Sequence, residues 1–264
     1  MQSPEYEELD VTVSGGVCHV TMDTDAPFNA FTPTMVEELL EVAIRCNDEW
    51  PVRAIAITGS ADGFCAGADL RVFQREADNP TQLRRVAGVL HEALRELHAV
   101  GVPIVTGVNG VAAGAGFGIA LHGDVVLVAE DARLEFAYQR VGLAADAGTT
   151  YLLPRLVGLR KALEIVLLDE PIAPKEAVDL GLATAVVPTA ALQDRLDELA
   201  HDLAEGPTAA FADTRALLYR SFDNSLPAQL ADEEEAMARA VATDDFERGL
   251  AAFFEKGDPD FQGE

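Results

Sequence analysis

One stretch of this sequence, residues 109–124, limits the possible folds most, because it combines very small residues with a turn into a helix. It follows an apolar run at 103–108 that is typical of a buried strand, and glycine and alanine fill most of its first half. Such residues allow close backbone approach, and the first turn of a helix leaves N–H groups free. A second small loop, Gly-Phe-Cys-Ala-Gly-Ala-Asp at 63–69, follows another apolar run at 53–59. Two strand–loop–helix turns that each present one N–H predict an oxyanion hole, a pair of donors for a developing negative charge.

The order of apolar patterns predicts an α/β core followed by helices. Residues 9–14 and 17–22 alternate with a period of two around Gly15 and Gly16, which indicates a hairpin. Helical spacing at 34–46, 83–97 and 115–121 then alternates with apolar strands at 54–58, 104–108 and 125–128, the pattern of parallel βαβ units. We predict an α/β core over residues 1–188 and a helical region over 189–264. From residue 149 onward the predicted helices are 151–156, 160–168, 174–180, 192–204, 208–221, 226–241 and 244–256.

The charge balance restricts the partners of this protein. The sequence has 45 acidic and 19 basic residues, and its formal net charge is −26. Such a surface repels polyanions, so we expect neither nucleic acid nor an anionic membrane as a partner. Only Lys161, Lys175 and Lys256 are lysines, and this scarcity favours a protein of a high-salt cytoplasm, where salt screens self-repulsion. An ordinary acidic bacterial protein is the alternative.

Cysteine use and hydropathy predict a cytoplasmic protein without a metal site. Cys18, Cys46 and Cys65 are widely spaced and form no Cys-x-x-Cys or clustered Cys/His pattern, so we expect free thiols rather than zinc ligands or disulfides. No apolar run reaches membrane-spanning length, and the first residues lack a basic start and an apolar signal core. The 49% share of hydrophobic residues is sufficient for a substantial core.

Further motifs accompany the two small loops in a fixed order along the chain. They are Asn-Ala at 29–30, Val-Gly-Leu at 141–143, Leu-Pro-Arg-Leu-Val-Gly at 153–158, Ala-Val-Asp-Leu-Gly-Leu-Ala at 177–183 and Phe-Phe-Glu-Lys at 253–256. With these motifs the chain resembles the crotonase (enoyl-CoA hydratase/isomerase) superfamily from about Tyr6 to the C-terminus. The resemblance implies the crotonase fold, which is ClpP-like: an α/β spiral of repeated ββα units with a C-terminal helical region for trimerisation.

The resemblance also implies an acyl-CoA substrate and a homotrimer or a dimer of trimers. The N–H groups of Ala68 and Ala115 would hold the thioester oxygen and stabilise an enolate. CoA is part of the substrate, so no separate cofactor and no metal are implied. Because CoA is itself a polyanion, this acidic chain must supply a local cation, although Lys256 could equally favour the dipole of its helix. The implied acyl or aryl pocket comprises Gly114, Gly116, Phe136, Tyr138 and Leu143, and the implied CoA contacts are Ala66, Asp69, Leu70, Phe253 and Lys256.

The acids that crotonase hydratases use are missing from this sequence. The two matching positions hold Gly118, which has no side chain, and Tyr138, whose ordinary pKa of about 10 makes it a poor base at neutral pH. The retained carboxylate is Asp146, at a position where several crotonase branches place a catalytic aspartate. These branches are dienoyl-CoA isomerases, 4-chlorobenzoyl-CoA dehalogenases and ring-1,2-epoxyphenylacetyl-CoA isomerases. Capping of a following helix is the structural alternative for Asp146.

The surroundings of the aspartate distinguish these branches. Dienoyl-CoA isomerases add acids at the positions of Gly118 and Tyr138, so they fit poorly. Dehalogenases share a glycine and an aromatic residue there and carry a water-activating histidine that matches His91, although a histidine at helical spacing is also typical of simple packing. The run at 109–116 and the ending at 246–263 favour the epoxyphenylacetyl-CoA isomerases. We therefore predict an acyl-CoA isomerase that moves a double bond or opens a ring epoxide, with Asp146 as its base.

Three alternatives to this isomerase stay open at the level of the sequence. The first is an enoyl-CoA hydratase with a non-standard acid such as Glu135. The second is a hydrolase resembling 4-halobenzoyl-CoA dehalogenase, and the third is a CoA-ester-binding protein without catalysis.

Overall fold

Two sheets of different size form the core of residues 4–71 and 79–264, the parts of the chain that the computed structural model describes. The strands are β1 (Leu9–Ser14), β2 (Val17–Met22), β3 (Ala54–Gly59), β4 (Gly63–Cys65), β5 (Ile104–Val108), β6 (Val111–Ala113), β7 (Val125–Ala129), β8 (Arg133–Glu135) and β9 (Ala185–Val187). The larger sheet has the order β1-β2-β3-β5-β7-β9, and the smaller one has the order β4-β6-β8. Strands β1 and β2 form the predicted antiparallel hairpin, and all other neighbours run parallel.

Helices make up most of the described chain outside these strands. They are α1 (Pro33–Asp48), α2 (Asn79–Ala99), α3 (Ala115–Ala120), α4 (Thr149–Leu168), α5 (Pro174–Asp179), α6 (Leu192–Ala204), α7 (Thr208–Arg220), α8 (Leu226–Val241) and α9 (Asp244–Glu255). Hydroxyl groups cap the starts of α1, α8 and α9. At α1 the Thr32 hydroxyl accepts the Met35 N–H, and Pro33 occupies the first turn. No helix of the described residues has the length and apolar content needed to cross a bilayer.

Three consecutive ββα steps build the spiral that the family resemblance implied. In the first two, a strand of the larger sheet is followed directly by a strand of the smaller sheet and then by a helix: β3-β4-α2 and β5-β6-α3. The third step, β7-β8, leads to α4 through residues 136–148. Strands β3 and β5 are buried along their whole length, as expected for parallel strands covered on both faces.

The segment after the third step agrees with the predicted pattern. We expected two helices, at 151–156 and 160–168, and α4, from Thr149 to Leu168, consists of two helical segments with a break between them. The break lies at Gly158, whose φ of 75° is in the region that favours glycine. The periodicity therefore located both segments.

Helix α6 belongs to the predicted helical region of residues 189–264, yet it packs on the larger sheet. Leu196 and Ala200 are buried in the core, and Gly107 in β5 leaves the space that the Leu196 side chain fills. Arg53 donates to the carbonyls of Gly206 and Phe261, which joins the C-terminal residues to the same sheet. The division of the chain at residue 188 stays a prediction.

Candidate active site

Glycines bring the two predicted loops into backbone contact. Strand β4 pairs with β6, so the segments that follow them lie side by side. A Cβ atom at Gly116 would collide with the Cys65 carbonyl, and one at Gly67 would lie 3.1 Å from the Ala115 nitrogen. Gly114 has φ 55° and ψ −125°, a conformation that L side chains rarely adopt. Any larger residue would push the two loops apart.

Both predicted oxyanion donors line one cavity of about 620 Å³, which we call the front cavity. Ala115 is the first residue of α3, so its N–H has no acceptor within the helix. Within the described residues, the Ala68 N–H also has no backbone acceptor, although its neighbour Asp69 donates to the Phe31 carbonyl. Two N–H groups from separate loops are therefore free for a ligand in the front cavity.

Asp146 lies on the wall of the same cavity, and its carboxylate does not cap a helix. Helix α4 begins at Thr149 after Gly148, which has a left-handed conformation and provides no side-chain cap. Instead, the Tyr138 hydroxyl donates to Asp146 Oδ1 at 2.6 Å. The capping interpretation of Asp146 is therefore wrong, and one carboxylate oxygen is held by a phenol.

Tyr138 is a hydrogen-bond donor at neutral pH rather than a base. Burial raises the pKa of its hydroxyl far above the ordinary value, and the negative charge of Asp146 raises it further. The short 3₁₀ turn Tyr138–Val141 that carries it follows Ala137, which has a φ of 61°. Asp169 Oδ1 accepts the Ala137 N–H at 2.7 Å and holds this turn in place.

Two histidines hold the backbone next to Asp146. The Ala147 N–H donates to His91 Nε2 at 3.3 Å, and the same nitrogen lies 3.9 Å from Asp146 Oδ2. On the other side, His122 Nε2 lies 3.2 Å from the Ala147 carbonyl oxygen, so this nitrogen carries the proton. Burial lowers the pKa of His122 to about 4, which keeps its ring neutral at physiological pH. Ala147 itself has a φ of 51°.

The structure offers no second acid at the positions that hydratases use. A Cβ at Gly118 would lie 2.7 Å from both the Ala147 carbonyl oxygen and Thr149 Oγ1. Glu135, the alternative acid, is buried and forms an ion pair with Arg140, while Arg133 lies 3.6 Å from its other oxygen. Among the described residues that line the front cavity, Asp146 is the only carboxylate.

The family model for enoyl-CoA hydratase/isomerase enzymes matches residues 12–264. The chain belongs to the enoyl-CoA hydratase/isomerase family. A relative from Rhodobacter capsulatus named "Probable enoyl-CoA hydratase" is 37% identical over 98% of this chain and 99% of its own length. The 1,2-epoxyphenylacetyl-CoA isomerase of Escherichia coli is 32% identical over 95% of this chain and 97% of its own. The crystal structure of an enoyl-CoA hydratase/isomerase from Cupriavidus metallidurans CH34 has a TM-score of 0.90 at 31% identity, and the match covers 99% and 98% of the two chains.

These comparisons establish the crotonase fold and an enzyme family that acts on acyl-CoA esters. The names of the relatives include both hydratases and isomerases. Membership of the family is therefore compatible with either hydration or isomerisation.

Some of the residues that the family resemblance assigned to the substrate pocket or to CoA binding line the front cavity, and the others do not. Ala66, Leu70, Gly114 and Leu143 line the front cavity with Tyr138. The other predicted site residues lie elsewhere: Gly116 packs on Cys65, Phe136 lies beside Tyr138 with ring centroids 5.0 Å apart, Asp69 pairs with Arg71 at 2.8 Å, and Phe253 and Lys256 lie at the end of α9.

Helix α2 contributes a wall that the family motifs did not identify. Leu83, Arg84 and Ala87 line the front cavity, and His91 follows one turn after Ala87. The sequence feature that could have identified this wall is the four-residue spacing of positions 83, 87 and 91, which places their side chains on one face of the helix. Arg84 also places a cation on this wall, whereas Arg140, which lines the cavity too, is paired with Glu135 and Asp169.

Proposed function

We propose that the protein isomerises an acyl-CoA ester through a thioester enolate, with Asp146 as the base. The observation that supports this proposal is a single carboxylate on the wall of the cavity that the Ala68 and Ala115 amides share. One base is sufficient to move a double bond, because it takes a proton from one carbon and returns it to another. Hydration requires a further group that positions and activates water.

In this proposal each group has one task. The Ala68 and Ala115 N–H groups donate to the thioester oxygen and stabilise the negative charge that develops on it. Asp146 removes a proton from the α- or γ-carbon through Oδ2, while Tyr138 holds Oδ1. Return of that proton at the other end of the allylic system completes a double-bond shift. With a ring epoxide, the electron pair left by that proton would instead break the epoxide C–O bond, and the alkoxide formed would take the proton back from Asp146. Neither route needs a cofactor besides the CoA of the substrate.

A second candidate is hydrolysis of a halobenzoyl-CoA, which the position of His91 favours. In that reaction Asp146 attacks the ring carbon that bears the halogen, and halide leaves to give an aryl ester. His91 activates the water that hydrolyses this ester and frees Asp146. The 3.9 Å between His91 Nε2 and Asp146 Oδ2 is compatible with such a water. However, the lone pair of this nitrogen already accepts the Ala147 N–H, and that bond would have to break before His91 acts as a base. We therefore place isomerisation first.

The test compares Asp146→Asn with His91→Ala on 3-enoyl-CoA, crotonyl-CoA and 4-halobenzoyl-CoA substrates. An isomerase should convert 3-enoyl to 2-enoyl esters faster than it hydrates crotonyl-CoA, and Asp146→Asn should lower that rate by about 10²–10⁴-fold. His91→Ala removes one bond to Ala147 but keeps the carboxylate, so it should lower the isomerase rate far less than Asp146→Asn does. Loss of halobenzoyl-CoA turnover in both variants would instead establish the hydrolase, and full isomerase activity of Asp146→Asn would refute the proposal.

We further propose that the chain forms a homotrimer or a dimer of trimers. Its outer helices expose large apolar side chains that a lone copy leaves in water, among them Leu159 and Leu167 on α4, Leu218 on α7, Met237 on α8 and Phe254 on α9. Exposure of so many large apolar side chains on the outer helices is typical of a chain that associates with further copies. Light scattering coupled to size-exclusion chromatography should give a mass of three or six chains, and a monomer would refute this proposal.

A further inference from the structure

Thr149, the first residue of α4, carries a hydroxyl that the proposed mechanism does not use. Its side chain is fully buried, and Oγ1 meets no hydrogen-bond partner among the described residues. A buried hydroxyl without a partner lowers the stability of a protein, because folding removes its bonds to water. Valine would fill nearly the same space without that cost. The hydroxyl therefore requires an explanation other than the stability of the fold.

This hydroxyl lies among the groups that surround Asp146. The Thr149 N–H donates to the Asp146 carbonyl oxygen at 3.0 Å, and the Tyr138 hydroxyl lies 3.4 Å from the same oxygen. On another side, a Cβ at Gly118 would lie 2.7 Å from Thr149 Oγ1. The threonine hydroxyl thus occupies space that a side chain at position 118 would need.

The Tyr138 hydroxyl has one proton and two acceptors near it. Asp146 Oδ1 lies 2.6 Å away, and the Asp146 carbonyl oxygen lies 3.4 Å away. Burial raises the pKa of Tyr138 most, the charge of Asp146 raises it further, and the Thr149 hydroxyl lowers it. A neighbouring O–H lowers the pKa of a phenol because it stabilises the negative oxygen of the phenolate. Thr149 is therefore placed to donate to the Tyr138 oxygen.

We propose that Thr149 is a positioning residue, whose hydroxyl donates to the Tyr138 oxygen and so directs the Tyr138 proton to Asp146 Oδ1. A small rotation of the threonine side chain completes this bond. Hydrogen bonds in such a chain polarise one another, so a donor to Tyr138 strengthens the bond from Tyr138 to Asp146. Thr149 is not among the described residues that line the front cavity, so its effect on a substrate passes through Tyr138. The inference rests on the proposed function for the role of Asp146.

Thr149→Val tests this role, because valine has nearly the same shape and lacks the hydroxyl. It should lower kcat/KM for the preferred 3-enoyl ester by about three- to tenfold, the usual effect of one hydrogen bond. Thr149→Ser keeps the hydroxyl and should keep most of the activity. In Tyr138→Phe, which has no phenol oxygen, adding Thr149→Val should cause no further loss, because residues that act through one another have non-additive effects.

Thr208→Val is the matched control, because Thr208 is likewise a buried threonine at the first position of a helix, α7. It should leave kcat/KM unchanged. If Thr149→Val does not fold, Thr149→Ala should show the same loss and the same dependence on Tyr138. Equal losses from Thr149→Val in the wild-type and Tyr138→Phe proteins would overturn the proposal. A higher Tm with unchanged kcat/KM would overturn it too, because that result is expected of an unpaired hydroxyl without a role.

The contact between Thr149 and Tyr138 can also be measured without turnover. The protein is labelled with ¹³C at Cζ of its four tyrosines, and Tyr138→Phe identifies the Tyr138 resonance in the NMR spectrum. That resonance should move in Thr149→Val and keep its position in Thr149→Ser and Thr208→Val. An unmoved resonance in Thr149→Val would contradict the contact.

The outcomes separate this inference from the proposed function. If isomerisation depends on Asp146 but Thr149→Val changes neither kcat/KM nor the Tyr138 resonance, the role of Thr149 fails and the isomerase stands. If the resonance depends on the Thr149 hydroxyl but no 3-enoyl ester is isomerised, the contact stands and the proposed reaction fails.

Discussion

Adding a single methyl group at Gly118 should damage catalysis more than folding. In Gly118→Ala the new Cβ would lie 2.7 Å from the Ala147 carbonyl oxygen and 2.8 Å from the Ala147 Cβ. Reaching an ordinary contact distance of 3.4 Å requires Ala147 or α3 to move by about 0.7 Å. Ala147 directly follows Asp146, so the carboxylate moves with it. Misplacement of a catalytic group by about 1 Å can cost about 10²-fold, and we therefore expect kcat/KM to fall by about 10- to 100-fold.

The expected loss of stability is smaller because two effects oppose each other. Overpacking typically costs about 1–3 kcal/mol, while replacing glycine by alanine inside a helix recovers up to about 1 kcal/mol. We expect a decrease in Tm of a few degrees, measured by thermal unfolding next to the kinetic assay on the preferred 3-enoyl ester.

Gly88→Ala is the control, because Gly88 lies in the interior of α2 and a Cβ there meets no atom within 4 Å. It should leave kcat/KM unchanged and raise Tm slightly. If Gly118→Ala behaves like Gly88→Ala, then Gly118 has room for a side chain, and the close packing of Gly118 against Ala147 is refuted.

Three further predictions concern Tyr138, His122 and Arg84. Tyr138→Phe should lower kcat/KM about tenfold or more, because Asp146 loses a charge-assisted hydrogen bond; an unchanged rate would show that this bond has no role in catalysis. Because the pKa of His122 is lowered in the folded protein, the unfolded chain binds a proton there at a higher pH than the folded chain does. The free energy of unfolding should therefore fall as the pH drops from 6.5 and level off near pH 4. The free energy of unfolding should decrease by at most roughly 3 kcal/mol over this range. When it is measured by urea unfolding at several pH values, it should change less with pH in His122→Gln than in the wild type. Arg84→Ala should raise KM for the CoA ester several-fold at low salt with kcat unchanged, whereas Arg85→Ala, whose side chain pairs with Glu37, should not.

Periodicity was sufficient for most of the architecture. Strand β5 and helices α6 and α8 have the predicted bounds, because each has a clear apolar pattern between turn residues. The strands of the smaller sheet have three residues each, which is too short for alternation to be visible, and only the family resemblance implied them. Helix α2 begins at Asn79, four residues before the predicted start, because its first turn carries little of the apolar pattern.

The backbone of the site was easier to predict than its side-chain contacts. The Ala68 and Ala115 loops could be located from the sequence, because close contact between backbones requires glycine or alanine at the contact positions. The hydrogen bond between Tyr138 and Asp146 depends instead on the conformation of the segment between them, which no periodicity encodes. The same limit applies to Phe253 and Lys256, whose contribution to CoA binding stays a prediction. Their place in the sequence does not determine where α9 packs.

The conformation of Ala147 has a consequence for the orientation of Asp146, the proposed base. Its φ of 51° is one that alanine adopts at a cost of about 1–2 kcal/mol, yet both peptide planes around it are fixed, one by His91 and the other by His122. The direction of the neighbouring carboxylate is thus set before substrate arrives, and little reorganisation remains for the chemical step. Glycine at this position would relieve the strain and free the torsions that direct Asp146. At position 147 glycine would therefore give the more stable protein, whereas alanine holds the Asp146 carboxylate in a more fixed direction.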